Sequence, residues 1–544
     1  MSARTRHAIV AFLGLGAALV LLLHQQVRHL DYVPDLGDPL FSIWRVGWVN
    51  HQLLNDPRHL FDTNIFYPER LTLTFSDPIV LPALTASPAL ALGIHPVIVY
   101  NLLLLSGFWF SGIAVYLLLV RLTVSARAAF VGGLVYACAL YRFDHYSHLE
   151  LQMMQWMPLG LLAMHLLIGR EPAAGSRKSR QWWYALALAA ALVAQLYSSM
   201  YYAVFFVIYA AVIGVGLLIA HRPSLRRLVL PLLASAAVAA TAALPLVRAF
   251  VAAEPTKGDR GLNEIAAFSA VPSDYLRVSK VNAVWGQVLR PPRAERALFP
   301  GVMPIALAAA GAAPPFGAVP VIYTIALAVA FDGSLGLNGL SYPAMHRWLS
   351  PVRGLRSPAR FAALVALTLA ILAGFGARRV LAWRTSGVYR RIAFAALIAL
   401  VLIEAWPSLA LTPVWRDPPE MYRLMKYVPN AVLAEMPMLP DETSNIPYMY
   451  FSTWHWLPMV NGYSGFVPKS YQDLRRDIAL FPAAEAVDAL RRRGVTHVTV
   501  NCGLNYAGCD ELVDAMRRAS RLRLVATMGW QGFPVQLYEV LPPQ

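Results

Sequence analysis

Long apolar runs separated by short polar connections dominate the first 408 residues of the chain. A membrane-spanning helix needs about 20 predominantly apolar residues. On this measure the pattern predicts about eleven membrane spans, and hence an α-helical polytopic membrane protein. The predicted spans are residues 8–23, 97–120, 127–141, 151–169, 183–199, 202–220, 228–250, 299–313, 316–331, 360–377 and 391–408.

Basic residues predict how these spans are oriented. Arg4 and Arg6 precede the first span, and further Arg and Lys residues gather in the connections 121–127, 170–182, 221–227 and 378–391. Because such residues favour the cytoplasmic side, the N-terminus is predicted to be cytoplasmic. Residues 31–96 and the tail then lie outside, which in a bacterium means the periplasmic side of the inner membrane. The apolar stretch 79–94 is short and interrupted, so it is predicted to be a re-entrant or interfacial segment.

The pattern changes after residue 408. Charge increases and shorter apolar runs alternate with amphipathic segments, which predicts a soluble α/β domain over 409–544 behind a transmembrane domain over 1–408. Strands are expected at 431–437, 495–500 and 535–540, and helices at 483–493 and 511–520.

The composition agrees with a membrane protein, since 58% of residues are hydrophobic, 14% are charged and the mean hydropathy is +0.50. The net charge of +16 comes mainly from the connections between spans, so it indicates topology and no nucleic-acid partner. Cys138 is expected in the core of a span. Cys502 and Cys509 either form a disulfide in an oxidising periplasm or remain free thiols, and without histidine partners they do not fit a zinc site.

Acidic residues directly follow the first span. Asp31, Asp35 and Asp38 lie at a membrane boundary, where an ionisable group is costly unless it is solvated or used, so they are candidate site residues. Asp77, in Ser76-Asp77-Pro78, is a further candidate. For Asp38 and Asp77 the alternative is a helix N-cap ahead of a proline.

The order of these features resembles the GT-C superfamily of polyprenyl-phosphate-sugar-dependent glycosyltransferases, and most closely its largely uncharacterised bacterial branch. The resemblance lies in the single first helix, the long outer loop that opens with Gly37-Asp38, and the spans that follow. It extends to short motifs, which are Asn64-Ile-Phe-Tyr-Pro68, Ser76-Asp77, Tyr141-Arg142-Phe143, Gln155-Trp156-Met157-Pro158 and Asn461-Gly-Tyr-Ser-Gly465.

This resemblance implies transfer of a sugar from a polyprenyl-phosphate donor to an extracytoplasmic acceptor, which could be a glycan, a lipid or a protein. Such enzymes carry an essential acid in the first outer loop, which matches Asp38 best and Asp35 next. Asp38 is therefore the expected general base, and cations are expected to stabilise the departing phosphate.

Three groups of residues are candidates for substrate binding. Arg142 and His148, in the outer turn 142–150, could contact phosphate or acceptor, or could belong to an interfacial polar belt. Arg353, Arg356 and Arg360 could pair with a lipid-linked phosphate, or could extend toward lipid headgroups.

Trp454 and Trp456 could stack on a sugar, or could pack a core or rest on the membrane. A divalent cation stays an open cofactor, because His145, His148 and Glu150 are ligand types, although their spacing fits no tetrahedral pattern.

Two other functions stay open, namely a transporter or flippase for lipid-linked glycans and a non-catalytic envelope assembly protein. Transporters tend to carry charges buried within their spans. Here the spans are nearly free of charge and the acids cluster at the outer rim, which favours an enzyme.

Overall fold

The computed structural model describes residues 3–169, 177–257, 260–291, 293–504 and 506–542. It divides into two compact units. The first, here called the helical unit, comprises Met1–Leu30, Asn101–Pro245 and Asp259–Leu411. The second, here called the mixed unit, comprises Asp31–Tyr100, Leu246–Gly258 and Thr412–Gln544. The C-terminal tail therefore shares its unit with the whole of the first outer loop, residues 31–96.

Helices account for the regular structure of the helical unit. Two of them, Pro96–Thr123 and Leu225–Lys257, have one end in the mixed unit. The others are Ala3–Leu22, His24–Arg28, Ala126–Ala137, Tyr141–Asp144, Leu149–Gln152, Trp156–Ile168, Arg177–Ser198, Met200–His221, Leu262–Ala267, Val302–Ala312, Ala318–Ser334, Tyr342–Trp348, Ser350–Arg353, Ala362–Ala382 and Gly387–Glu404.

Every predicted span contains a helix, and the chain is a multi-pass membrane protein. Within the described residues, six segments are long and apolar enough to cross a membrane by themselves. They are Thr5–Leu22, Pro96–Thr123, Leu149–Ile168, Met200–His221, Leu225–Lys257 and Pro358–Ala382. The remaining helices are shorter or less apolar, so the count of eleven spans stays a prediction.

Glycine allows two of these helices to pack closely. A Cβ atom at Gly311 would lie 2.1 Å from the backbone oxygen of Leu372, and one at Gly376 would lie 1.9 Å from that of Leu307. Helices Val302–Ala312 and Ala362–Ala382 thus meet backbone to backbone, as small residues permit between membrane helices.

The mixed unit combines helices with two sheets. Its helices are Asp38–Asn55, Val80–Ala91, Glu420–Met425, Ile446–Ser452, Lys469–Asp477, Ala484–Arg492 and Cys509–Arg518. Its strands are β1 (Tyr32–Val33), β2 (Thr412–Pro413), β3 (Leu433–Met436), β4 (His497–Asn501), β5 (Leu522–Trp530) and β6 (Phe533–Val540).

The larger sheet has the order β3-β4-β6-β5. Strands β3 and β4 are parallel, with Ala434 opposite Val498, while β6 runs antiparallel to both of its neighbours. The smaller sheet pairs β1 with β2, so that Tyr32 lies opposite Pro413. Helices Ala484–Arg492 and Cys509–Arg518 bury Leu490 and Met516 in the apolar core of the tail.

The structure confirms all three predicted strands and both predicted helices of the tail, with shifted ends. It also contains β5, which was not predicted, although apolar residues occupy every second position from Leu522 to Trp530. The segment 79–94 forms the helix Val80–Ala91. Cys502 and Cys509 form a disulfide, and Cys138 is a buried free thiol, both as expected.

Candidate functional site

Asp38 stands at the start of a helix in the mixed unit. It is the first residue of Asp38–Asn55, and the N-cap position belongs to Gly37, so the prediction that Asp38 itself caps this helix is wrong. A negative charge in the first helical turn is favourable because it faces the positive end of the helix dipole. The side chain is half-buried, and the Tyr463 hydroxyl donates a hydrogen bond to its Oδ1 over 3.3 Å.

The Asn461–Gly465 motif places Tyr463 at Asp38. The Asn461 side chain accepts a hydrogen bond from the Glu435 backbone N–H at 2.7 Å and donates one to the Glu435 carbonyl at 2.9 Å, which ties the motif to β3. The ring of Tyr463 then meets Phe41 edge to face, with 5.2 Å between centroids. Tyr463 is therefore a positioning residue for Asp38, although the sequence marked it only as an aromatic residue.

Asp35 has a local role. Its Oδ1 accepts a hydrogen bond from the Gly37 backbone N–H at 2.8 Å, which closes the turn before the helix. Asp35 is exposed. This contact makes Asp35 a residue that shapes the approach to Asp38.

The Asn64–Pro68 motif fixes the same helix. Trp44 donates its indole N–H to the Asn64 side-chain oxygen at 3.2 Å, and the Asn64 amide donates to the Ser452 hydroxyl at 3.1 Å. These buried bonds join the first loop to the C-terminal tail within the mixed unit. They account for the position of the motif without a substrate contact.

Asp77 is buried beside a guanidinium group that sequence reasoning missed. Arg45 donates to the Asp77 backbone carbonyl at 2.7 Å and to the Ser42 hydroxyl at 2.8 Å, with its guanidinium 4.3 Å from the centre of the Phe41 ring. The next helix begins at Val80 with Ile79 as its N-cap, so the prediction that Asp77 caps it is also wrong. The spacing of residues 38, 42 and 45 along one helix face could have indicated Arg45.

Lys257 is a second missed cation of the mixed unit. Its ammonium group donates to the Thr74 carbonyl at 3.3 Å and lies 4.4 Å from the ring centre of Phe250 and 5.6 Å from that of Phe466. A single lysine at the end of a predicted span gave no signal beyond topology.

In the helical unit, two of the predicted phosphate-binding arginines pair with Glu295. Arg360 makes a two-pronged contact to Glu295, with Nε···Oε2 at 2.8 Å and Nη2···Oε1 at 2.9 Å, and Arg356 reaches the same carboxylate at 3.4 Å. The side chain of Arg360 is 5% exposed and that of Arg356 is 32% exposed. Arg356 is thus the one of the pair that a ligand can reach.

Tyr201 supports this ion cluster. Its ring lies 4.4 Å from the guanidinium of Arg360, and its hydroxyl accepts a hydrogen bond from the Arg356 backbone N–H at 3.0 Å. Burial by itself would raise the pKa of Glu295, but the adjacent Arg360 outweighs burial and holds that pKa well below its usual range. Glu295 therefore remains an anion, and sequence spacing gave no indication of it.

The third arginine, Arg353, is exposed at the end of the short helix Ser350–Arg353. The three predicted arginines thus occupy an exposed, a partly exposed and a buried position.

Arg142 is fully buried. Its Nε donates to the Gln152 side chain at 3.1 Å, its Nη2 donates to the Gln152 carbonyl at 2.8 Å, and its guanidinium lies 4.1 Å from the centre of the Phe108 ring. Gln152 in turn donates its amide to the Arg142 carbonyl at 3.2 Å. These contacts anchor the turn, and the complete burial of Arg142 argues against a substrate contact.

The residues that follow Arg142 differ in burial. Burial raises the pKa of Asp144 to about 7, with the Ala297 backbone N–H opposing that rise. His145 is buried, and burial lowers its pKa to about 3, so it is neutral at pH 7. His148 is half-buried. No group of three or more His, Cys, Asp or Glu side chains within the described residues could hold a metal ion, so no step is assigned to one.

Trp454 and Trp456 both line a cavity of about 400 Å³ in the mixed unit. They are half-buried, and they lie neither in the core of the sheet domain nor free in solvent.

Solved membrane glycosyltransferases share this fold. Arabinofuranosyltransferase AftD from Mycobacteria matches with a TM-score of 0.64 and 14% identity, over 100% of this chain and 40% of that one. The archaeal oligosaccharyltransferase AglB from Archaeoglobus fulgidus, solved with an inhibitory peptide and a dolichol-phosphate, matches with a TM-score of 0.52 and 13% identity, over 98% of this chain and 74% of that one.

ArnT from Cupriavidus metallidurans in the apo state matches with a TM-score of 0.51 and 13% identity over 100% of both chains. No protein-family model and no curated protein matches the sequence. The chain spans less than half of AftD and the full length of ArnT. The three structures are GT-C membrane glycosyltransferases, so the GT-C fold expected from the sequence is confirmed.

Proposed function

We propose that this protein is a membrane glycosyltransferase that moves a sugar from a polyprenyl-phosphate-linked donor to an extracytoplasmic acceptor. The observation that carries the proposal is Asp38, a half-buried acid at the start of the first loop helix, positioned by Tyr463 in a chain with the GT-C fold. The dolichol-phosphate in the AglB structure supports a lipid phosphate as the carrier of the sugar.

In the proposed reaction, the Asp38 carboxylate takes the proton from an acceptor hydroxyl. That oxygen forms a bond to the anomeric carbon of the donor sugar while the bond from this carbon to the phosphate oxygen breaks. The polyprenyl phosphate leaves with the electron pair, and Asp38 keeps the proton. A single displacement of this kind inverts the anomeric configuration.

Arg356 is our candidate for the donor phosphate. Its side chain is partly exposed, Glu295 pairs with its guanidinium, and the Tyr201 hydroxyl bonds to its backbone N–H. Arg360 is less available, because its Nε and Nη2 both already donate to Glu295. Arg fits phosphate because its planar fork donates two parallel hydrogen bonds. Arg353, which is exposed, and His148 are further candidates, and Asp77 is an alternative to Asp38.

We place the reaction on the periplasmic side of the bacterial inner membrane, with the N-terminus in the cytoplasm.

The experiment is sugar transfer by purified full-length protein with Asp38→Asn. Asn has nearly the same size but lacks the basic oxygen, and loss of a general base costs roughly 10²–10⁴-fold in rate. Turnover should therefore fall by that factor. Asp35→Asn makes the same change at an exposed acid and keeps an oxygen that can accept the Gly37 hydrogen bond, so it is the matched control, and its rate should fall far less. Transfer near the wild-type rate by Asp38→Asn would overturn the assignment and point to Asp77 as the base, whereas a wild-type protein that transfers no sugar would point to a transporter.

A further inference from the structure

A cavity opens beside the helix Asp38–Asn55 in the mixed unit. Its volume of about 400 Å³ lies in the range of small-ligand sites. Trp454 and Trp456 form part of its wall, Gly47 lies in the facing helix, and Arg416 and Asp417 lie at its rim. Ile43, Val46, Leu90 and Ile94 add aliphatic surface, so the cavity combines aromatic and aliphatic walls with one cation and one anion.

Neighbouring rings hold the two indoles in place. Trp454 meets Tyr450 edge to face, with 5.2 Å between centroids. Trp456 stacks on His51 at 5.0 Å and meets Trp48 edge to face at 5.6 Å. The aromatic wall is thus preorganised, which lowers the entropy cost of binding a ligand.

Two features that are unfavourable for the local backbone allow Trp456 to occupy its position. Gly47 lies within a helix, where glycine is destabilising relative to alanine, but a Cβ atom there would lie 3.2 Å from the Trp456 ring. Trp456 itself has φ = +55°, a region that is costly for a bulky side chain. Strain of this kind is typically kept at ligand-binding sites.

The chemistry of the wall selects a saccharide. Sugar rings present a face of C–H groups that packs on an aromatic ring, and their hydroxyls bond to guanidinium and carboxylate groups. Arg416 and Asp417 are both exposed at the rim, and His95 Nε2 lies 3.1 Å from the Arg416 carbonyl, which fixes that edge. A lipid chain in the cavity would use neither charge.

We infer that this cavity binds a saccharide portion of the acceptor, so that the acceptor is a glycan. This inference rests on the proposed function. Gly47 follows Asp38 by nine residues, or about 14 Å along a helix. The sugar held by the two indoles is therefore a different unit of the glycan from the one whose hydroxyl reacts at Asp38.

The test is retention of bacterial oligosaccharides on a glycan array by the full-length protein in nanodiscs. We expect the wild type to retain at least one class of oligosaccharide, and Trp454→Ala with Trp456→Ala to weaken that binding about tenfold or more. Tyr427→Ala removes an exposed aromatic ring of the same unit that does not line the cavity, and it should bind as the wild type does.

Two milder variants protect the test against misfolding. Arg416→Gln changes only an exposed rim residue and should weaken binding. Gly47→Ala adds a Cβ atom 3.2 Å from the Trp456 ring, so it should weaken binding, and thermal unfolding of the same preparation checks that the fold is retained.

Several outcomes would overturn the inference. The first is that the wild type retains no oligosaccharide, and the second is that the wild type and the double tryptophan variant retain it equally. The third is that lipids with brominated chains quench the fluorescence of the wild type and that this quenching is lost in the double variant. The last would show a lipid chain in the cavity.

The Asp38→Asn protein separates this inference from the proposed function. It should retain the oligosaccharide without transferring sugar. Sugar transfer without retention would defeat the inference alone, and retention without transfer by the wild type would defeat the proposed enzyme alone.

Discussion

The helical and mixed units hold their carboxylates in opposite ways. In the helical unit, Glu295 is nearly buried and pairs with Arg360 through both of its oxygens, with Arg356 as a second partner. In the mixed unit, Asp38 is half-buried at a helix start and receives a 3.3 Å hydrogen bond from Tyr463. A buried pair fixes structure, because loss of one partner leaves an uncompensated charge, whereas a reachable acid can exchange protons with a substrate.

A third carboxyl sharpens this contrast. Glu435 is fully buried in the mixed unit, where its Oε2 accepts a hydrogen bond from the Tyr422 hydroxyl at 3.0 Å. Its Oε1 has no hydrogen-bond partner among the described residues. Burial raises the pKa of Glu435 to about 8, so the group keeps its proton at pH 7. Burial beside a cation thus keeps Glu295 ionised, whereas burial without one keeps Glu435 protonated at pH 7.

The largest effect on stability should come from Glu295→Ala. This change leaves Arg360 buried without its carboxylate, and breaking a buried ion pair costs about 3–5 kcal/mol in the free energy of unfolding. Thermal unfolding in detergent measures the loss. The matched control is Asp473→Asn, which breaks the exposed pairs of Asp473 with Lys469 and Arg476 and should change little. Equal losses in the two variants would contradict the contrast between buried and exposed charge.

Glu435→Gln should change how stability depends on pH. The folded protein keeps the Glu435 proton up to about pH 8, whereas the unfolded chain loses it above its ordinary pKa of 4.5. Its stabilising contribution is therefore complete below pH 4.5 and is lost as the pH rises toward 8. Gln cannot ionise, so the variant should lose less stability than the wild type between pH 5 and pH 8.5.

Melting temperatures across that range test this second prediction. Glu485→Gln, at an exposed position of the same unit, should keep the wild-type pH dependence. If Glu435→Gln kept it as well, Glu435 would already be ionised in the folded protein.

The sequence predicted the parts of this molecule that depend on local periodicity. The apolar runs located a helix within every predicted span. Strand β3 followed from apolar residues broken only by Glu435, and β4 from the alternation of valine with polar residues. Loop order singled out Asp38. Strand β5 was missed although apolar residues occupy every second position from Leu522 to Trp530; Val525 interrupts this alternation where the pairing with β6 is irregular.

Contacts between distant residues could not be predicted in this way. Glu295 and Arg360 are 65 residues apart, and Lys257 and Thr74 are 183 apart, so no spacing rule connects them. Arg142 looked available because it follows a span, but its burial depends on how Gln152 and Phe108 pack around it. Side-chain pairing in the folded protein decides whether a charge is structural or reactive.

Arg356→Gln tests the one arginine of the ion cluster that a ligand can reach. A hydrogen bond to a charged group contributes about 1.5–3 kcal/mol, so KM for the polyprenyl-phosphate donor should rise roughly tenfold to a hundredfold with a smaller change in kcat. Arg347→Gln, at an exposed position of the helix Tyr342–Trp348, is the matched control and should leave KM unchanged. A fall in kcat alone, or the same rise in both variants, would remove Arg356 from the donor site.

Among these variants, Asp38→Asn should have the smallest effect on stability and the greatest effect on turnover. Asp38 contributes a first-turn charge, worth about 0.3–1 kcal/mol to a helix, and Asn preserves an oxygen that can accept the Tyr463 hydrogen bond. Asp38→Asn should therefore lower the free energy of unfolding by less than about 1 kcal/mol. Thermal unfolding beside the transfer assay measures both quantities on one preparation. If its melting temperature fell as far as that of Glu295→Ala, Asp38 would be a structural anchor like Glu295, and lost turnover could not be ascribed to a missing base.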